Sequence, residues 1–223
     1  MDYYNRDASG RLVILGRPGV GKTVLAVRLA VDLLRNINVN KHEFHGTSGP
    51  RVPVLLQLGS WDPSETSLTE WMSREISKRF NLSSKITLQL VSEGWITPIL
   101  DGLDEMDFSN EKRRAIKAVE LINDYIAEKT DSSIVVICRS GPSYYDKLIR
   151  KVRNASEIIV QPLGRSQIVD YLELQCQDED DFYDWKPVFN DLEESQNDYL
   201  VNALGTPWRL TAAVAFQRGG GGS

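Results

Sequence analysis

Gly16-Arg17-Pro18-Gly19-Val20-Gly21-Lys22-Thr23 is the stretch that decides how the rest of the chain is read. Gly16, Gly21, Lys22 and Thr23 satisfy G-x-x-x-x-G-K-[ST] without exception. At that spacing glycines let the backbone curl around phosphate oxygens and offer its N–H groups as donors. Lys22 supplies a point charge for β- and γ-phosphates, and the Thr23 hydroxyl is a magnesium ligand. Leu12-Val13-Ile14-Leu15, just before the loop, is an apolar run that reads as a buried strand. From Lys22 to Arg35 the sequence reads as a helix whose positive dipole end lies beneath the phosphates. Within it Arg28, Asp32 and Arg35 form one narrow wet stripe, and the rest, from Val24 onward, is largely Val, Leu and Ala. That pattern predicts a helix buried on most sides.

Outward from the loop, strands and helices alternate. Asn36 to Pro50 is polar, holds the two histidines His42 and His45, and reads as a surface loop. Arg51 to Leu58 reads as a second strand, and Trp61-Asp62-Pro63 as a turn. Ser67 and Glu70 have capping-box spacing, followed by a helical stripe of Leu68, Trp71, Met72, Ile76 and Phe80. A third strand, Trp95 to Leu100, runs into Asp101-Gly102-Leu103-Asp104-Glu105. A helix is expected from Asn110 to Ala127, a fourth strand from Ser133 to Cys138 ending at Arg139, and a fifth from Glu157 to Val160. This alternation specifies an α/β fold, a three-layer sandwich around a mostly parallel five-stranded sheet. After Pro162 only helical patterns remain, so a nucleotide-binding domain is placed at residues 1–163 and a small helical subdomain at 164–218. The acidic stretch from Glu173 to Asp184 reads as a loop. Gly219-Gly220-Gly221-Gly222-Ser223 reads as an engineered linker, which makes the chain a piece of something longer.

The acidic cluster carries the next layer of chemistry. Asp101, at the end of an apolar strand, is placed to hold the magnesium shell opposite Thr23. Asp104 and Glu105 fall beside the expected γ-phosphate; Glu105 is the candidate for polarising the attacking water, with Asp104 its competitor or an orienting partner. The inserted strand, residues 52 to 58, implies that the fourth strand lies between the phosphate-loop strand and the carboxylate strand. Arg139 would then end beside the γ-phosphate as a cation that reports its presence.

Composition narrows the classes. The chain has 223 residues and a net charge of −5, which argues against a dedicated nucleic-acid binder. Aromatics do not interleave with the basic run Lys147, Arg150, Lys151 and Arg153, so no nucleic-acid groove is expected and the run reads as a solvated helix face. No segment approaches the ~18 apolar residues of a membrane span. Cys138 and Cys176 lack metal-ligand spacing and fit bystander thiols of a reducing cytoplasm.

Gly16 to Thr23, Leu100-Asp101-Gly102-Leu103-Asp104-Glu105 and Ile137-Cys138-Arg139-Ser140 together resemble the NACHT-type P-loop NTPases of the STAND class. The tandem acidic pattern is the most specific part. Val54-Leu55-Leu56 with Ser60-Trp61-Asp62-Pro63 looks like bacterial NACHT proteins, and Leu204-Gly205-Thr206-Pro207 before Trp208-Arg209-Leu210 looks like the proline motif of that family's helical subdomain. The resemblance implies an ATP/ADP switch, closed with ADP and self-associating with ATP, used in signalling, with immunity or defence as its setting. By the same resemblance Arg139 is the γ-phosphate sensor, Pro207 lies against the base, and the base is adenine. The family's winged-helix segment and its ADP-holding histidine have no place in this chain. Two other functions compete: a P-loop kinase for a small acceptor, and a scaffold that binds nucleotide without hydrolysing it. No arginine reads as a finger for the transition state, so slow hydrolysis is expected.

Overall fold

The computed structural model describes residue 4 and residues 10–39, 51–107, 113–129, 132–140, 144–148, 150–176, 179–194 and 198–220. His42 and His45, the expected helix start at Asn110, Asp178 and the end of the glycine-serine tail lie outside these residues. Spatial proximity divides the chain into two units. One comprises residues 1–16 and 22–159, the other residues 17–21 and 160–223.

The first unit begins with β1 (Arg11–Gly16), α1 (Lys22–Val39) and β2 (Val52–Gln57). It continues through α2 (Leu68–Phe80), α3 (Ser84–Ser92), β3 (Ile96–Asp101), α4 (Arg113–Glu128), β4 (Ile134–Arg139) and most of β5 (Ser156–Val160). The strands lie in the order β2-β3-β4-β1-β5, and β2–β3, β3–β4 and β4–β1 pair in parallel. This is the α/β P-loop NTPase fold. Strands covered on both faces need near-continuous apolar runs, and Leu12 to Leu15 of β1, Pro98 to Leu100 of β3 and Ile134 to Cys138 of β4 supply them. Val13, Leu15, Leu100, Ile134, Val136 and Cys138 face a core shared with Trp71, Met72, Ala115, Val119 and Ile122 of α2 and α4.

Local signals act as expected at α2. Ser67 accepts from the Glu70 N–H while Glu70 accepts from the Ser67 N–H, and Asn81 closes the helix in the left-handed conformation at φ 52°. The predicted stripe is buried except for Phe80, which is exposed because it sits in the last turn, where Asn81 redirects the chain. Trp61, expected only as a turn residue, is fully enclosed. It stacks on Trp71 at 5.4 Å between ring centroids, and its indole N–H donates to the Thr66 carbonyl.

Three expectations need correction. First, α1 is not buried on most sides. Ala26 is fully enclosed, but Val24, Leu25, Val27, Val31 and Leu34 are exposed. A helix lying on a sheet turns only one stripe inward, and here that stripe passes through Ala26, Leu29, Ala30 and Leu33. Second, α3 was not anticipated. It buries only Thr87 and Val91, and its contact with α2 includes a buried hydroxyl pair, Ser73 with Thr87 at 2.9 Å, to which apolar periodicity is blind. Third, the acidic stretch is not a loop throughout, since α5 runs to Gln175 and the backbone is helical again from Glu179. Charge alone does not exclude a helix, since glutamate is among the better helix formers.

The second unit holds α5 (Arg165–Gln175), α6 (Glu179–Glu194), α7 (Tyr199–Leu204) and α8 (Pro207–Gly220). Its core is Ile168, Leu172, Trp185, Phe189, Leu192, Leu210 and Val214. No described helix is long and apolar enough to cross a membrane.

Trp61→Ala removes a fully enclosed aromatic and its stacking partner's support, and is expected to cost roughly 3–5 kcal/mol of stability in urea denaturation. A loss below about 1 kcal/mol would show that the Trp61–Trp71 stack does not hold the connection after β2.

Candidate active site

Parallel strands deliver their carboxyl ends to one edge of the sheet, and four candidate elements meet at that edge in the first unit. Gly16 is level with Arg139, and Gln57 with Asp101. The Lys22 ammonium donates to the Gly16 carbonyl at 3.0 Å. Burial holds the Lys22 pKa below the usual lysine value; the nearby Asp104 charge opposes this, Arg139 adds to it, and Cys138 and Asp101 oppose it more weakly. The Thr23 hydroxyl donates to Asp101 Oδ2 at 2.9 Å. Gln57 reaches the same oxygen from the neighbouring strand at 3.5 Å.

Beyond Asp101 the chain turns through Gly102, whose φ of 83° favours glycine. A Cβ there would stand 3.0 Å from Glu105 Oε2. A 3-10 turn from Leu103 to Glu105 follows, pinned by the enclosed side chains of Leu103 and Met106. Two neighbours hold its backbone. Tyr144 donates its hydroxyl to the Leu103 carbonyl at 3.0 Å, and burial pushes that phenol well above its ordinary range. Arg114 donates to the Met106 carbonyl at 2.7 Å and to the Trp61 carbonyl at 2.5 Å. Asp107 then caps α4 by accepting from the N–H groups of Arg114 and Ala115, both at 3.0 Å.

The two carboxylates offered as alternatives for activating water differ in setting. Glu105 is exposed. Asp104 is nearly enclosed and bound to Arg139 twice, through the guanidinium Nε at 2.6 Å and the backbone N–H at 3.0 Å. The structure therefore brings Lys22, Thr23, Asp101, Asp104 and Arg139 together, with Glu105 on the same turn. Val24 lies in the first turn of α1 with its side chain exposed.

The oxygen donors Thr23 and Asp101 suit a hard cation that completes its shell with phosphate and water, as magnesium does. Among the described residues no group of three or more His, Cys, Asp or Glu side chains is arranged to hold a metal by itself. The residues present thus fit magnesium that arrives with a phosphate ligand.

In the second unit, Arg17, Pro18, Gly19 and Val20 form one wall of a pocket of about 550 Å³ that Thr206, Trp208 and Arg209 help to complete. Gly19 and Gly21 have φ of 79° and 96°. A Cβ on Gly21 would stand 3.4 Å from Pro207 Cγ, so the phosphate loop and the proline are in close approach. Pro207 is also the first residue of α8, where its fixed φ suits a helix start.

Gln57, Arg114, Asp107, Tyr144 and Trp208 were not anticipated as site residues. Asp107 bonds N–H groups seven and eight residues ahead, too far for N-cap spacing to have marked it. Two members of the basic run are engaged elsewhere: Arg150 pairs with Glu120 at 3.6 Å and Lys151 with Asp146 at 3.7 Å, while Lys151 also sits over the Tyr145 ring.

The NACHT domain family model matches residues 10–179. A comparison with curated proteins found no match. Among solved structures, AMPPCP-bound DnaA from Aquifex aeolicus is 12% identical with a TM-score of 0.46, over 97% of this chain and 58% of that one. C. elegans PCH-2 is 16% identical with a TM-score of 0.44, over 84% of this chain and 43% of that one. This chain thus spans 58% and 43% of the lengths of those two proteins.

Gly102→Ala forces a side chain into the left-handed region and against Glu105, so a loss of about 1–3 kcal/mol is expected in thermal or urea unfolding. An unchanged midpoint would mean that the turn relaxes freely and does not fix Glu105.

Proposed function

Because the chain belongs to the NACHT family, a family of NTPases, we propose that it is an ATP/ADP-binding switch with slow, magnesium-dependent ATP hydrolysis. The observation that carries this reading is the 2.9 Å hydrogen bond from Thr23 to Asp101, which joins the residue after the phosphate-loop lysine to the carboxylate strand end. In this reading the backbone of Gly16 to Thr23 receives the phosphates, Lys22 neutralises them, and Thr23 and Asp101 hold magnesium. Magnesium held by Thr23 and Asp101 would offset the charge that develops during phosphoryl transfer. The exposed Glu105 carboxylate orients the attacking water and accepts its proton. Arg139 senses the γ-phosphate. Pro207, in the proline motif of the second unit, is the residue proposed to lie against the base.

Slow turnover follows from the absence of any arginine whose sequence context marks it as a finger; self-association of the full-length protein would supply one in trans. A role in immunity or defence signalling and a cytoplasmic setting complete the proposal. The engagement of Arg150 and Lys151 in ion pairs counts against the kinase reading, which needs mobile cations over the transferred phosphate.

Two measurements test this. Denaturing the purified protein and separating what it releases should yield ADP or ATP at close to one per chain, lost in Lys22→Ala. Steady-state hydrolysis should run well below ~1 per second and fall at least ~100-fold in Glu105→Gln with nucleotide binding intact. Turnover in the kinase range, or a Lys22→Ala protein that still retains nucleotide, would defeat the reading.

A further inference from the structure

The Asp104 side chain is 5% exposed against 51% for its partner Arg139. Its two oxygens serve one residue. Oδ2 meets the guanidinium Nε at 2.6 Å, and Oδ1 accepts the Arg139 backbone N–H at 3.0 Å. A guanidinium is a rigid planar fork of five donors. A bond at Nε, combined with one at the same residue's backbone, fixes both the root and the plane of that fork while using only one of its donors. Little of Asp104 is open to water, whereas Glu105 next to it is exposed, so the two adjacent carboxylates are not interchangeable. Tyr144 adds a second tie between the segment after β4 and the same turn, through the Leu103 carbonyl. The acidic turn is therefore tied both to Arg139 and to Tyr144 beyond it.

We propose that Asp104 is a positioning residue that sets the preference between ATP and ADP by holding the Arg139 guanidinium in the pose that reads the third phosphate, an inference that rests on the nucleotide reading above. Removing the charge at Asp104 leaves Arg139 present but unaimed. The loss should then appear in discrimination between nucleotides, with general affinity preserved. A carboxylate acting as a base behaves differently, because its neutralisation stops hydrolysis and leaves triphosphate binding intact.

The test is calorimetric titration of ADP and of a non-hydrolysable ATP analogue, each with magnesium, into wild type, Asp104→Asn, Arg139→Gln and the double variant. The analogue-to-ADP affinity ratio should fall roughly tenfold in each single variant, and the double variant should be no worse than either. ADP affinity should fall less than analogue affinity in each single variant. Thermal melting of the same four proteins provides a readout that needs no nucleotide. Arg139→Gln strands an enclosed carboxylate and should lower the midpoint more than Asp104→Asn does, and the double variant should recover part of that loss. If Asp104→Asn fails to fold, Asp104→Glu keeps the charge but displaces it by one methylene, and should give an intermediate ratio. Multiplicative losses in the double variant, or an Asp104→Asn protein with the wild-type ratio and no hydrolysis, would overturn the inference alone. A wild-type chain that binds neither nucleotide would overturn the reading of the site on which it stands.

Discussion

The position of β4 between β1 and β3 is the constraint on which the rest of the site depends. Neighbouring strands stand about 4.8 Å apart, so β4 sets the phosphate-loop strand and the carboxylate strand about 10 Å from each other. That gap is spanned in two ways. Across the top, Arg139 ends β4 level with Gly16 and turns to meet Asp104. Beneath it, the Thr23 hydroxyl reaches across to Asp101. With β1 and β3 adjacent there would be no strand end between them to carry a cation, and the acidic turn would lack its partner.

Around that frame, four acidic residues within a short segment are given different tasks by what surrounds them. Asp101 ends a strand and receives a hydroxyl, Asp104 is closed in by an arginine, Glu105 stays in solvent, and Asp107 caps a helix. Carboxylates that are chemically alike are separated by burial and hydrogen bonding, the factors that elsewhere separate acid from base roles. Arg114 draws the segment together from behind. It touches Met106 on the acidic turn and Trp61 after β2, so the stacked tryptophans and the acidic turn share one support.

Much of this was legible before any coordinates. The strand and helix flanking Gly16 to Thr23 and the capping box at Ser67 and Glu70 follow from local patterns, because glycine spacing, cap chemistry and apolar runs are written in neighbouring residues. The place of β4 in the sheet followed from the strand inserted between the phosphate loop and the acidic cluster. What could not be read is what depends on distant partners. α3 meets α2 partly through a hydroxyl pair, which carries no apolar signature. Trp61 and Arg114 are separated by much of the unit and meet only in space. The outer residues of α1, Val24, Val27, Val31 and Leu34, are as apolar as core residues yet exposed, so composition overstated how much of that helix the sheet covers. Asp104 and Glu105 look alike as a sequence pair, and only the tertiary approach of Arg139 tells them apart.

The same strand order has a kinetic side. β1 pairs with β4 from Arg11 to Gly16, against Ile134 to Arg139, and its other neighbour is β5, so both of its partners lie far downstream. During synthesis from the N-terminus, the phosphate loop emerges early, on a strand that has nothing to pair with until most of the unit has been made. Long-range parallel pairing is slow because loop closure must be overcome before the contact forms. The first motif that can be recognised in the chain is therefore among the last to acquire its shape. A chain that stops before Arg139 would carry the whole glycine-rich sequence but lack the residue level with Gly16 and the cation that meets Asp104.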